Sequence, residues 1–330
     1  MSRIKEIILS RAKTDLSDIN QALEANLTPY HTLAKLITEH ILFAGGKRMR
    51  PLLMVLTARA CGYRGTDAAS LSTMFEYLHA ATLLHDDLVD QADVRRNRPA
   101  AHLIWGNSEA VLSGDYLLAK ALSLAAKTDN LRIIKVIAAI TEDMSQGELH
   151  QLANRGRVDL TEAEYLDVIR RKTAVLLEAA CRTGAILADM PEQVETACAT
   201  YGHHLGMAFQ MADDLLDYTA DPNQLGKAVG TDLAEGKVTL PVIHSLHQAI
   251  IAGDAAAVTT IESTLGAPDI TAELFSVFVS YLNQYGGIDY TRNQAKDQVA
   301  AAKSALQVLP ESSASDLLRL LADYSLDRES

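Results

Sequence analysis

The chain has 330 residues, 48% of them hydrophobic and 22% charged, which suits a folded protein with a large apolar core and argues against intrinsic disorder. Thirty basic against forty-two acidic side chains leave a net charge of −12, the wrong sign for a general nucleic-acid binder, so no nucleic-acid partner is expected. No stretch supplies the roughly 18 apolar residues of a membrane span, Met1 to Arg11 lacks the apolar segment of a signal peptide, and Cys61, Cys181 and Cys198 have no metal-ligand spacing. A cytoplasmic protein with at most peripheral membrane contact is expected.

In chain order, apolar residues recur at helical spacing from Ile4 to Leu23, Leu33 to Phe43, Leu52 to Cys61 and Ser70 to Val89. Between the second and third of these lies Gly45-Gly46-Lys47-Arg48-Met49-Arg50-Pro51, a glycine-led basic turn entering a helix, where free backbone N–H groups and the positive helix end attract phosphate. The fourth, with Asp67 as a helix start, carries Asp86-Asp87-Leu88-Val89-Asp90 at its end, followed by Arg95-Arg96. Further helices are predicted from Ser108 to Ala126, Leu131 to Leu152, Glu162 to Leu187, Val194 to Tyr218 and Pro241 to Ile251. Thr161 with Glu164 forms a capping-box signature, and Pro29, Pro191 and Pro268 punctuate joins. No strand is predicted, and without a linker or repeat the chain reads as one all-α domain over 1–330.

The Val194 to Tyr218 helix carries a second pentad, Asp213-Asp214-Leu215-Leu216-Asp217, with the same Asp-Asp-x-x-Asp spacing. Residues four apart share a helix face, so Asp86 and Asp90 project together, as do Asp213 and Asp217. Two carboxylate clusters in otherwise apolar helices require a compensating cation, and oxygen-only ligands favour magnesium shared with phosphate. Adjacent helices would bring the pentads face to face across a cavity. The Arg95-Arg96 pair beside the first is suited to bidentate phosphate recognition, and Lys172-Thr173, Gln210, Lys227 and Lys237 follow around the second.

In that joint order the chain resembles the trans-prenyltransferases, the isoprenyl diphosphate synthases, and most closely their bacterial long-chain, octaprenyl-forming members, from Gly45 to Pro310. The resemblance implies one antiparallel helical bundle around a deep cavity, normally a homodimer. It implies that Lys47, Arg50, His79 and Arg96 hold isopentenyl diphosphate, and that Arg95, Lys172, Thr173, Gln210, Lys227 and Lys237 attend an allylic diphosphate. Asp86, Asp90 and Asp213 would be the chief magnesium ligands, with Asp87, Asp214 and Asp217 in direct or water-mediated support. Lys172 and Gln210 would join Asp86, Asp90 and Asp213 in the catalytic set.

One departure is Asn97, where the family usually has glycine; asparagine tolerates the left-handed backbone such a turn needs, so the turn is expected to survive. Ala81 and Thr82, five and four residues before Asp86, stand where shorter-product relatives often carry an aromatic, so an open tunnel and a long product, nominally of eight units for quinone side chains, are expected. Its floor is placed between Leu131 and Met144. The competing readings are a shorter-chain synthase, a class I terpene cyclase, an HD-type phosphohydrolase suggested by His85-Asp86, and a noncatalytic subunit of a heteromeric synthase. The second pentad disfavours the cyclase, and the complete set of basic residues disfavours the last two.

Overall fold

The computed structural model describes residues 3–219, 230–267 and 269–327; Lys227 and Pro268 lie outside them. The protein is all-α, an antiparallel helical bundle around a central cavity. Its first half comprises α1 (Arg3–Arg11), α2 (Lys13–Asn26), α3 (Thr32–Leu42), α4 (Met49–Ala60), α5 (Ala68–Val89), α6 (Ala101–Trp105), α7 (Asn107–Ala126) and α8 (Leu131–Ala153). Then come α9 (Glu162–Ile169), a π-helical turn (Arg170–Ala174), α10 (Val175–Leu187) and α11 (Glu192–Thr219). The remainder forms α12 (Thr231–Ala234), α13 (Leu240–Ala252), α14 (Ala255–Thr264), α15 (Ala272–Gln284), α16 (Gly287–Ala305) and α17 (Ser313–Leu326).

The helix α10 explains why the bundle holds its shape. Nearly every side chain from Val175 to Ile186 is buried, as expected of a helix apolar on all sides, and it packs on α4, α8 and α11 at once. Those contacts are close because a Cβ on Gly184 would lie 2.6 Å from the Met54 carbonyl oxygen, and one on Gly202 of α11 would lie 2.5 Å from that of Leu177. Around α10 one apolar core joins α1 to α8 with the first half of α11 and α17, while a second gathers α9, the end of α11 and α13 to α16. The long α5 and α11 are thus fixed on rigid supports, with their Asp-rich ends at the cavity.

Three local features differ from the sequence expectations. The first predicted helix is two, broken at Ala12, and the four helices after Gly253 were not predicted. Val94–Arg95 and Arg98–Pro99 pair as a minimal antiparallel hairpin, where no strand was expected. Its two central residues, Arg96 and Asn97, have φ of 52° and 60°, as a two-residue primed turn demands. Asparagine therefore accepts the left-handed position and the turn survives, as expected.

Candidate active site

The cavity has a volume of about 750 Å³ and is walled by α4, α5, α8, the π-helical turn, α11 and the Asp232–Thr239 segment. That size is ordinary for a small-molecule site. Both pentads reach it: Asp86 and Asp90 from the end of α5, Asp213 and Asp214 from α11. Thr161 does form the capping box that launches α9, and α9 brings Tyr165 beneath Asp214.

The carboxylates of each pentad divide into those that face the cavity and those held from within. Asp87 is buried and accepts a hydrogen bond from Arg95 Nε at 2.7 Å, while its Oδ2 is buried without a hydrogen-bond partner. Asp90, which ends α5, is ion-paired with Arg155. Burial, more than any neighbour, pushes Asp86 up to about 6, with Lys172 pulling the other way and Glu148 and Asp90 adding repulsion. On α11, Asp214 accepts from the Tyr165 hydroxyl at 2.6 Å and from Gln210 Nε2 at 2.7 Å; burial and then the charge of Asp232 raise it to about 8. Asp217 accepts from the backbone N–H groups of Thr231 and Asp232, both at 3.1 Å, and is raised to about 7 for the same two causes. Carboxylates pushed this far toward protonation are short of positive charge, which is the environment a divalent cation would relieve.

Cationic side chains surround the clusters. Lys172 Nζ lies 2.8 Å from Glu148, and Lys237 pairs with Glu235 and, at 3.5 Å, with Asp232. Thr173 donates to Gln210 Oε1 at 2.8 Å, so Thr173, Gln210, Asp214 and Tyr165 form one hydrogen-bonded chain along the wall. Lys172 and Thr173 belong to the π-helical turn, a distortion that often marks functional sites. Glycines let two helices press on it: a Cβ at Gly206 would stand 2.4 Å from Ala174 Cα, and one at Gly147 would stand 2.7 Å from Arg171 Cβ. Gly206→Ala is therefore expected to cost about 2 kcal/mol in stability, in the range of core overpacking, and to displace Thr173 from Gln210. Urea unfolding and turnover of the variant check this; unchanged values for both would refute the close-packing argument.

The glycine-led turn holds a second basic group. Arg48, left-handed at φ 48°, is buried and donates to Glu76 at 2.6 Å, to the Leu42 carbonyl at 2.6 Å and to Asn20 at 3.1 Å, so it anchors the turn rather than facing a ligand. Arg50 lines the cavity with a buried Nε that has no hydrogen-bond partner, and burial lowers it to about 10 against the pull of Glu76. Arg96 donates to the carbonyls of Gly45 and Ile41, closing the hairpin over the turn. Lys47 lies over the Tyr324 ring, 5.2 Å from its centre. His79 shares this wall, and burial followed by repulsion from Arg50, Arg96, Arg95 and Arg48 holds its imidazole well below its ordinary value.

A histidine kept neutral by the fold makes stability depend on pH with a definite sign. Below about 6.5 the unfolded chain takes up a proton on His79 that the folded chain refuses. The contribution is full above that pH and is lost as pH falls through it. Urea titrations at pH 7.5 and 5.5 are expected to give a smaller stability loss for His79→Asn than for the wild type; equal losses would show that His79 titrates normally.

The sequence-derived residues Lys47, Arg50, His79, Arg95, Arg96, Asp86, Asp90, Lys172, Thr173, Gln210, Asp213, Asp214 and Lys237 all line this cavity. Asp87 and Asp217 stand behind it, and Lys227 is outside the described residues. Below the polar mouth the wall becomes largely apolar, with Leu78, Ala81, Thr82, Leu118, Thr141, Met144 and Phe209. Thr141 and Met144 fall within the segment expected to form the floor. Sequence reasoning did not single out Arg155, Tyr165 or Asp232. A basic or acidic residue one loop away from a pentad carries no periodic signal, and only the folded chain brings it to the site.

The chain is similar to known proteins over most of its length. The family model for polyprenyl synthetase matches residues 31–276. The chain is 38% identical over 320 residues to an octaprenyl diphosphate synthase of Haemophilus influenzae, covering 96% of this chain and 95% of that one. It is also 35% identical over 333 residues to a short-chain isoprenyl diphosphate synthase of Methanothermobacter thermautotrophicus, covering 100% and 98%. The crystal structure of a polyprenyl synthase from Caulobacter crescentus, complexed with calcium and isoprenyl diphosphate, superposes with a TM-score of 0.90 at 34% identity over 98% of this chain and 97% of that one.

Proposed function

The chain belongs to the polyprenyl synthetase family and is a prenyltransferase, and from that premise we propose that it makes a long all-trans-polyprenyl diphosphate by adding isopentenyl diphosphate head to tail to an allylic primer such as farnesyl diphosphate. The observation that carries the reading is one cavity with two carboxylate clusters and two basic groups at its mouth and an apolar recess beyond Ala81 and Thr82. The proposed unit is a single domain over 1–330.

Asp86, Asp90 and Asp213 are the proposed ligands of magnesium, supported by Asp87, Asp214 and Asp217. Among the described residues no three His, Cys, Asp or Glu side chains already converge on one metal point, which fits a cation held by one or two carboxylates plus substrate phosphate oxygens. The elevated Asp86, Asp214 and Asp217 and the unpartnered Asp87 Oδ2 fit such a cation. When bound, magnesium supplies Lewis-acid stabilisation of charge on the departing diphosphate. Arg95, Lys172, Lys237 and the undescribed Lys227 are proposed to grip the allylic diphosphate, so that charge developing on the leaving oxygen meets fixed cations. Lys47, Arg50, His79 and Arg96 are assigned to isopentenyl diphosphate. Gln210 and Thr173, locked to each other and to Asp214, present fixed dipoles to the allylic carbon. The apolar wall below excludes water that would quench a carbocation.

No helix among the described residues is long and apolar enough to cross a membrane, and cytoplasmic location, with a supply of quinone side chains, is proposed from product class. A homodimer is proposed from the family resemblance, and the exposed Leu103, Ile104, Val111, Leu112 and Leu122 of α6 and α7 offer apolar side chains for such an interface. The deciding experiment supplies the purified protein with magnesium, farnesyl diphosphate and labelled isopentenyl diphosphate. A dominant long prenyl product is expected. A short product would retain the chemistry and reject the open tunnel, and phosphate release without condensation would favour a hydrolase.

A further inference from the structure

Arg155 is absent from the set of diphosphate-binding residues assigned above, yet it lines the same cavity and meets the first pentad. It follows the end of α8, lines the cavity and contacts Asp90, with Arg155 30% and Asp90 11% exposed. Its Nε is buried with no hydrogen-bond partner, so only part of its five-donor guanidinium is used. The next residue, Gly156, donates its backbone N–H to the Gly236 carbonyl at 2.8 Å, which ties Arg155 to the segment bearing Lys237.

Two demands on Asp90 are incompatible. A guanidinium on Asp90 Oδ1 and a divalent cation on that oxygen occupy the same space and repel each other. The other cations of this wall are paired elsewhere: Arg95 with Asp87, Lys172 with Glu148, and Lys237 with Asp232 and Glu235. Arg155 alone of these holds one of the three carboxylates proposed as chief ligands. A cation that takes Oδ1 must displace it, and the anion that arrives with the cation is a diphosphate, an acceptor to which a partly unpaired guanidinium is well suited.

We infer that Arg155 is an exchangeable partner of the first pentad: it neutralises Asp90 before the cation arrives and, once displaced, binds the diphosphate of the allylic substrate. This rests on the assignment of Asp90 to the cation under the proposed function. Arg155 is thereby a competitor for the metal and a ligand for the metal–diphosphate pair, two effects of opposite sign in one side chain.

The test compares wild type with Arg155→Met and Arg155→Lys. Binding of Mn²⁺ alone is followed by electron paramagnetic resonance, and binding of inorganic pyrophosphate in excess Mg²⁺ by calorimetry. Arg155→Met is expected to bind Mn²⁺ several-fold more tightly and magnesium pyrophosphate about tenfold more weakly, the scale of one lost charge-assisted contact. Arg155→Lys, which keeps a point charge but not the fork and retains the fold if the methionine variant does not, is expected to move both affinities the same way by less. An ion pair that serves only the fold would move neither affinity in a folded variant, and unmoved Mn²⁺ affinity or unmoved pyrophosphate affinity overturns the inference. If the wild type itself binds no pyrophosphate in the presence of Mg²⁺, the proposed function falls first and the inference with it.

Discussion

Asp86→Ala is expected to lower turnover about a thousandfold or more while leaving the protein folded, whereas Asp87→Ala one position away is expected to destabilise it. Asp86 lines the cavity, and burial in a carboxylate cluster already raises it to about 6. Removing it ends the burial of a charge and the repulsion from Glu148 and Asp90, which offsets the lost attraction to Lys172, so the metal-free fold is expected to stay close to wild-type stability. What disappears is a ligand for the cation that stabilises leaving-group charge, a loss on the scale of removing a preorganised electrostatic contact in a closed site. Asp87 has no such freedom. It is buried against Arg95, and truncating it strands that guanidinium at a cost of about 3 kcal/mol, as for other broken buried pairs. Turnover with labelled isopentenyl diphosphate and urea unfolding, measured on both variants, separate the two effects. An Asp86→Ala protein that keeps a tenth of wild-type turnover would remove Asp86 from the metal set, and an Asp87→Ala protein of unchanged stability would show that Arg95 finds another partner.

That division of labour within one pentad was only half legible in the sequence. The helical repeat places Asp86 and Asp90 on one face, and both line the cavity, but the same expectation fails for the second pentad: Asp213 and Asp214 line the cavity, while Asp217 turns to the backbone of Thr231 and Asp232. The partners of Asp87 and Asp217 are different in kind. Arg95 reaches back across a hairpin too short to register as strands, and Asp217 is satisfied by backbone N–H groups of Thr231 and Asp232, whose availability no side-chain pattern encodes. The same reasoning covers the basic turn. Four basic or glycine positions in a row suggest a phosphate cradle, but Arg48, left-handed in its backbone, commits its guanidinium to Glu76, Leu42 and Asn20 although it too borders the cavity, while Arg50 keeps an unpartnered Nε there. The π-helical turn had no sequence signal because Glu162 to Leu187 keeps an apolar period throughout; it lies where Gly147 and Gly206 let α8 and α11 approach it closely. The last helices escaped prediction for a related reason: α16 is polar over much of its surface, and its buried positions Ile288, Ala295, Val299 and Ala302 form only a narrow stripe.

Ala81→Phe is expected to cut a long product made from farnesyl diphosphate to about geranylgeranyl length, without loss of the first condensation. Ala81 lies five residues before Asp86 on a continuous helix, about 7.5 Å along its axis at 1.5 Å per residue. A prenyl chain whose diphosphate is held at the pentads must run past this level to reach Leu118, Thr141 and Met144. With alanine and Thr82 in the wall the passage is open, and a phenyl ring replaces a methyl group where the tail would pass. Ring and tail then compete for the same volume, and elongation stops when the next unit has no space, while ionisation at the mouth proceeds unchanged. The rival account is that Ala81, itself only 3% exposed, is small to let helices pack. The two accounts differ in what they move: a ring forced into the packing costs about 1–3 kcal/mol and leaves the product distribution as it was, while a ring in the passage shortens the product and leaves stability near that of the wild type. Reversed-phase separation of the dephosphorylated products, run beside urea unfolding of the same preparation, distinguishes them, and a long product from a destabilised Ala81→Phe protein would move control of chain length from α5 to the Thr141 and Met144 face of α8.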